Sequence, residues 1–207
     1  MRFKNAEFRI YFAIWIVILL LGAYDIFDNF RFYGTDYFYT LSFYISILIL
    51  VFMVLLFIGL VKGSTRLIVV AFGGIVTLEA VEYFPVFLNE LRYLSHYGTF
   101  GYDSVEILFV VIYGIVYPAT LLIYALTYIA TSILFFFNRR ERHLMVNITS
   151  GLGVAVLVSY LAITVLNFFI DRTSLDLLTI FFDMAFAVFF HIIYITLPRM
   201  MHNHNLY

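Results

Sequence analysis

Residues 67–88 read LIVVAFGGIVTLEAVEYFPVFL, an apolar run that nevertheless carries Glu79 and Glu82. About 20 predominantly apolar residues in a helix cover a hydrocarbon core of ~30 Å, so the run has the length of a membrane span. Carboxylates inside such a span are costly, and where they persist they usually face a bundle interior or water and mark paths for ions or protons. Whether these two acids lie in a membrane depends on the rest of the chain.

Of its 207 residues, 64% are hydrophobic, 21% aromatic and only 12% charged. That balance lies far from a soluble domain and implies an all-α integral membrane protein. The absence of cysteine excludes disulfides, thiolate metal sites and cysteine nucleophiles. Lys and Arg occur in short clusters between apolar runs, so no nucleic-acid partner is expected. The expected partners are the lipid bilayer, a small cation or solute, and other membrane chains, a second copy included. No cofactor is expected.

Five further apolar runs, at about 9–24, 41–61, 107–137, 148–170 and 177–197, make six transmembrane helices in all. The first follows the basic start MRFKNAEFR and ends in GAYD without a small-residue cleavage motif, so it is expected to be retained rather than removed as a signal peptide. With six spans, nine Lys and Arg fall on one side (Arg2, Lys4, Arg9, Lys62, Arg66, Arg139, Arg140, Arg142, Arg199) and three on the other (Arg31, Arg92, Arg172). Positive charge stays cytoplasmic, which predicts both termini inside. Eight acids lie on the outer side (Asp25, Asp28, Asp36, Glu90, Asp103, Glu106, Asp171, Asp176), leaving Glu79, Glu82 and Asp183 within the membrane. The loops are short and there is no internal repeat, so one bundle over residues 1–207 is expected rather than two domains or an inverted-repeat transporter. Asn147-Ile148-Thr149 falls on the cytoplasmic side in this topology and reads as a chance sequon.

Counting from the outer ends, Glu82 is six residues from position 88 and Asp183 six from position 177. At ~1.5 Å per residue both lie roughly 9 Å below the outer boundary, with Glu79 about one turn deeper. Glu79 and Glu82 are three apart and share a helix face. Other polar residues recur at helical spacing: Tyr160, Thr164 and Asn167; Tyr113, Tyr117, Thr120, Tyr124 and Tyr128; and Thr179, Asp183 and His191. These stripes suggest a polar interior opening outward. Plain packing with satisfied hydroxyls also produces tyrosine stripes, and a histidine near a helix end is often a hydrogen-bonded structural residue.

Three clustered acids in low dielectric cannot all stay ionised, so a proton and a cation would compete for them. That competition underlies proton-coupled cation movement, and also pH sensing. Helix irregularities fit the same picture. The run 107–137 would measure about 46 Å as a straight helix, and Pro118 is expected to kink it. Pro85 does the same beyond Glu82, while Gly73-Gly74 and Gly151-Leu152-Gly153 read as close helix packing.

An intramembrane metal-dependent enzyme built on Glu79, Glu82, Asp183 and His191 is weakly supported, because Glu-x-x-Glu lacks the histidine of a di-iron motif and His-Glu-x-x-His is absent. No serine elbow occurs either, so the expectation is not an enzyme. The expected function is a small membrane transporter or channel for a cation or proton-coupled solute. Glu79, Glu82, Asp183, Asn167, Tyr117 and Thr164 are the candidate binding residues and His191 the candidate proton relay; whether a metal binds is left open. The alternative is a sensor, receptor or assembly subunit without transport of its own.

Overall fold

The computed structural model describes residues 40–93, 104–137, 142–170 and 191–199, with isolated positions at 16, 20, 23, 24, 26, 27, 30, 31, 34 and 188. Among the described residues the chain is all-helical, without strands. Four helical stretches are long and apolar enough to cross a membrane: Leu41–Lys62, Thr65–Tyr93, Ser104–Phe136 and Leu144–Ile170. They match the second to fifth expected spans and describe a multi-pass membrane protein. The first expected span and most of the sixth lie outside the described stretches; of the sixth, residues 191–199 are helical.

The chain divides into two compact units, residues 1–82 with 206–207, and residues 83–205. The boundary falls inside a helix, between Glu82 and Tyr83.

In the first unit, α1 (Leu41–Lys62) starts where the Thr40 side chain accepts a hydrogen bond from the Phe43 amide at 3.2 Å. It ends at Gly63, whose φ of 62° is the left-handed conformation that lets its N–H turn back to the Gly59 and Leu60 carbonyls. The Ser64 amide joins it on Gly59 at 2.8 Å, so the last turn closes on itself before α2 (Thr65–Tyr93) begins. Such a tight reversal forces the two helices antiparallel. Three contacts fix their register: Gly59 against Ile68 near the turn, the Phe52 ring seated on Gly74 midway, and Ser42 bonded to Glu82 at the far end. Gly74 thus packs closely as its sequence suggests, since a Cβ there would lie 2.6 Å from the Phe52 ring.

In the second unit, the long fourth span is not one kinked α-helix. It comprises α3 (Ser104–Val111), a π-helical segment (Ile112–Val116) and α4 (Tyr117–Phe136). Proline has no N–H, and its ring clashes with the carbonyl four residues earlier, here Gly114. The chain relieves the clash by widening the preceding turn, so that the Tyr117 amide reaches five residues back to the Ile112 carbonyl. By contrast, α2 runs through Pro85 without a break in its helical run, and extends to Tyr93, past the expected end at 88. Glu90 and Arg92, expected in an outer loop, are therefore helical. Glu90 lies across Gly114 of the π segment, where any β-carbon would collide with it.

α5 (Arg142–Ile170) packs against α4, and α6 (191–199) packs against both. Thr131 meets Thr149 at one end of the α4–α5 pair and Tyr117 meets Tyr160 at the other, an antiparallel register. Gly153 and Ser150 face Tyr194 and Ile195, while Tyr160 faces His191, so α5 and α6 are antiparallel too.

The faces left exposed are as apolar as those buried. Val51, Val54 and Val61 on α1, Ile123, Leu126 and Ile133 on α4, and Val154 and Val158 on α5 all point outward. In water such a surface would drive aggregation; against lipid it costs nothing, so close packing rather than burial from water has to hold the helices together.

Packing of this kind separates two neighbouring glycines. A Cβ at Gly153 would lie 2.6 Å from the Tyr194 carbonyl oxygen, whereas at Gly151 it would meet nothing within 4 Å. Gly153→Ala is expected to lower stability by about 1–3 kcal/mol, because backbone must move to admit it. Gly151→Ala should be neutral or stabilising by up to ~1 kcal/mol through helix propensity. Unfolding midpoints in detergent micelles check both, and equal effects would contradict the packing.

Candidate functional site

On α2 the buried residues Ile68, Phe72 and Ile75 follow steps of four and three. Continuing those steps gives Glu79 and Glu82, both half-buried. The two acids therefore lie on the line of the packed stripe of α2, Glu82 at its exposed end beside exposed Ser42, while Val70, Val81 and Phe84 mark the opposite, exposed face. The Ser42 hydroxyl donates to Glu82 Oε1 at 2.7 Å. Ser42 stands in the first turn of α1, so the hairpin register set by Gly63 brings this donor to the carboxylate. A neutral donor solvates a carboxylate without neutralising it.

The second unit gathers the aromatic residues that sequence spacing had placed on separate stripes. Tyr83 meets Tyr117 edge-on at 5.1 Å between ring centres, Tyr117 meets Tyr160 at 5.8 Å, and Tyr160 lies 4.8 Å from the His191 imidazole. The line continues from His191 to Tyr194 at 5.2 Å, to Tyr124 at 4.7 Å and to Tyr128 at 6.0 Å. Tyr117, Tyr124, Tyr128, His191 and Tyr194 are all buried. His191, expected toward the cytoplasmic end of its span, is thus flanked by tyrosine rings on both sides. Rings in edge-on and tilted contact add about 0.5–1.5 kcal/mol per pair beyond their area, enough to make this line a structural spine.

The hydroxyls along the spine are mostly spent on helix backbone. Thr120 and Thr127 bond carbonyls three residues back; Thr131, Ser132, Thr149, Ser159 and Thr164 bond carbonyls four back. Thr131 and Thr149 also share a bond across the α4–α5 interface at 2.9 Å, both side chains fully buried. Thr164 therefore sits on the predicted face but turns its hydroxyl to the Tyr160 carbonyl. Asn167 is exposed, and Tyr113, displaced by the π segment, is 37% exposed and stacks on Phe109. In the sequon, Asn147 is helical and Thr149 is buried and bonded.

Of the candidate residues, Glu79 and Glu82 share one face of α2 in the first unit, and Tyr117 and His191 share the spine of the second through Tyr160. Asp183 lies outside the described residues. Among the described residues no cluster of three potential metal ligands occurs. Sequence reasoning missed Ser42, Tyr83 and Tyr194. The first two carry no local signal, because their partners depend on helix pairing; Tyr194 had one in Pro198, four residues later.

Compared with known protein families, with characterised proteins and with solved structures, the chain matches none.

The Thr131–Thr149 bond gives a direct measure of polar adhesion between helices. In a double-mutant cycle with Thr131→Val and Thr149→Val, unfolding measured in bicelles should return a coupling near ~0.6 kcal/mol, typical of interhelical hydrogen bonds in lipid. Additive single effects would show that the pair contributes no adhesion of its own.

Proposed function

We propose that the chain is a multi-pass membrane transporter or channel that moves a cation or a proton-coupled solute, with six spans and both termini cytoplasmic. The observation that carries this reading is the position of Glu79 and Glu82 on the packed stripe of α2, where Ser42 solvates Glu82 without neutralising it. Acids retained on the inward face of a span usually serve ion or proton traffic. In this reading Glu79, the deeper acid, is the coupling residue and Glu82 its outer neighbour. Asp183 is the charge of the last span and His191 a proton relay.

The mechanism is competition. A protonated carboxyl releases a cation and an ionised one takes it up, so a gradient of either drives the other.

A second reading, a sensor or assembly subunit, draws on the opposite property of residues 83–205. There the buried hydroxyls are bonded to helix carbonyls, as befits a fixed scaffold.

Flux separates the two. In proteoliposomes with a pH-sensitive dye and imposed proton, sodium and potassium gradients, the wild type should show gradient-driven flux. Glu79→Gln should lower it at least about 10-fold, the effect of about 1.4 kcal/mol on a rate-limiting barrier. Glu82→Gln and Asp183→Asn should alter its pH dependence. Wild-type protein that is folded yet silent under every gradient would reject transport and favour the sensor or subunit.

A further inference from the structure

The hairpin of α1 and α2 fixes more than the bond between Ser42 and Glu82. Two levels of its register are that bond, at 2.7 Å, and the Phe52 ring seated on Gly74. Between them α1 runs ten residues, from 42 to 52, while α2 runs eight in the opposite direction, from 82 to 74. Four residues along α1 from Ser42 therefore answer to about three along α2 from Glu82, which sets Ser46 opposite Glu79. Each stands one helical turn from the residue it follows and so stays on the same face. The steps advance about 6 Å on α1 and about 4.5 Å on α2, in the same direction because the helices are antiparallel.

The two levels differ in their surroundings. Ser42 is exposed, whereas Ser46 and Glu79 are both half-buried. A hydrogen bond donated to a carboxylate favours its charged form. A serine hydroxyl can donate to the carboxylate and can also accept from the carboxylic acid, without taking a charge itself. Of the titratable side chains on α1 and on α2 up to position 82, Glu82 alone stands within a turn of Glu79; Lys62 and Arg66 lie at the turn end of the hairpin, and Tyr44 is exposed.

We propose that Ser46 is the hydroxyl partner of Glu79, as Ser42 is of Glu82, and that the two pairs form a ladder in which each serine sets how readily its own glutamate takes a proton. The outer pair meets solvent first, and the inner pair lies one turn beyond it. Ser46 is a positioning residue, acting through Glu79. The inference rests on the reading of Glu79 as the coupling residue and adds the group that tunes it.

Dicyclohexylcarbodiimide, an apolar reagent that adds to protonated carboxyl groups, tests the ladder without any flux. Protein in lipid nanodiscs is treated over a range of pH, and labelling of Glu79 and of Glu82 is read separately by peptide mass spectrometry. A hydrogen bond to a charged group is strong enough to change the protonated fraction about 10-fold. Ser46→Ala should therefore raise labelling of Glu79 about 10-fold at a fixed pH on the alkaline side of its profile, and leave Glu82 as in the wild type. Ser42→Ala should do the reverse. Ser46→Thr keeps the hydroxyl and should restore the wild-type profile at Glu79.

Equal labelling of Glu79 in wild type and Ser46→Ala, absence of label in both included, would overturn the ladder. So would a rise at both acids together, the mark of a loosened hairpin, or a Ser46→Thr profile like that of Ser46→Ala. If Ser46→Ala does not fold, Ser46→Cys keeps the size and weakens the donor, and the same comparison applies. A protein that shows the expected labelling yet stays silent under every gradient rejects transport and keeps the ladder.

Discussion

Backbone carbonyls with no water to bond them are the constraint on which the rest of this structure depends. In a chain this apolar, hydration cannot repair a missing helix bond, so each irregularity must be answered by another protein group. Pro118 is answered locally, by a turn widened to the π form. Pro198 is answered from a distance, by Tyr124 on a neighbouring helix. The same covalent defect thus has two remedies, and only the second ties helices together.

The hydroxyl residues obey the same rule. Thr and Ser on α4 and α5 return their protons to carbonyls one turn back, which removes the cost of burying them without calling on a partner helix. Polar contacts between helices are specific, among them Thr131 with Thr149, Ser150 with Ile195 and Tyr124 with Tyr194. Lipid is as apolar as leucine, so small residues that let backbones approach do the remaining work at Gly59, Gly74 and Gly153.

Against this background the carboxylates of α2 stand apart. Tyrosines and threonines carry neutral hydroxyls, whereas Glu82 brings a carboxyl group, to which Ser42 donates. In the second unit, by contrast, the buried hydroxyls of Thr131, Thr149, Ser150 and Ser159 are bonded to helix carbonyls. His191 is the exception there, a titratable ring held between Tyr160 and Tyr194.

The sequence by itself determined the solvent and the elements. A hydrophobic fraction of 64% and six apolar runs made helices the expected elements, because only helices or closed barrels satisfy every backbone group in lipid and the runs lack the alternation of a barrel. It also placed Glu79 and Glu82 on one face, since spacing of three is a property of the single helix. Which side chains meet was decided by tertiary structure, because pairing depends on register and on how closely backbones approach. The left-handed turn at Gly63 brings Ser42 to Glu82, and Gly153 admits α5 to the Tyr194 carbonyl. The spacing of Tyr117, Tyr124 and Tyr128 was legible as a stripe; that it would run on through Tyr160, His191 and Tyr194 needed three helices packed together. Pro198 announced a missing donor in the sequence, and only the fold could choose Tyr124 to replace it.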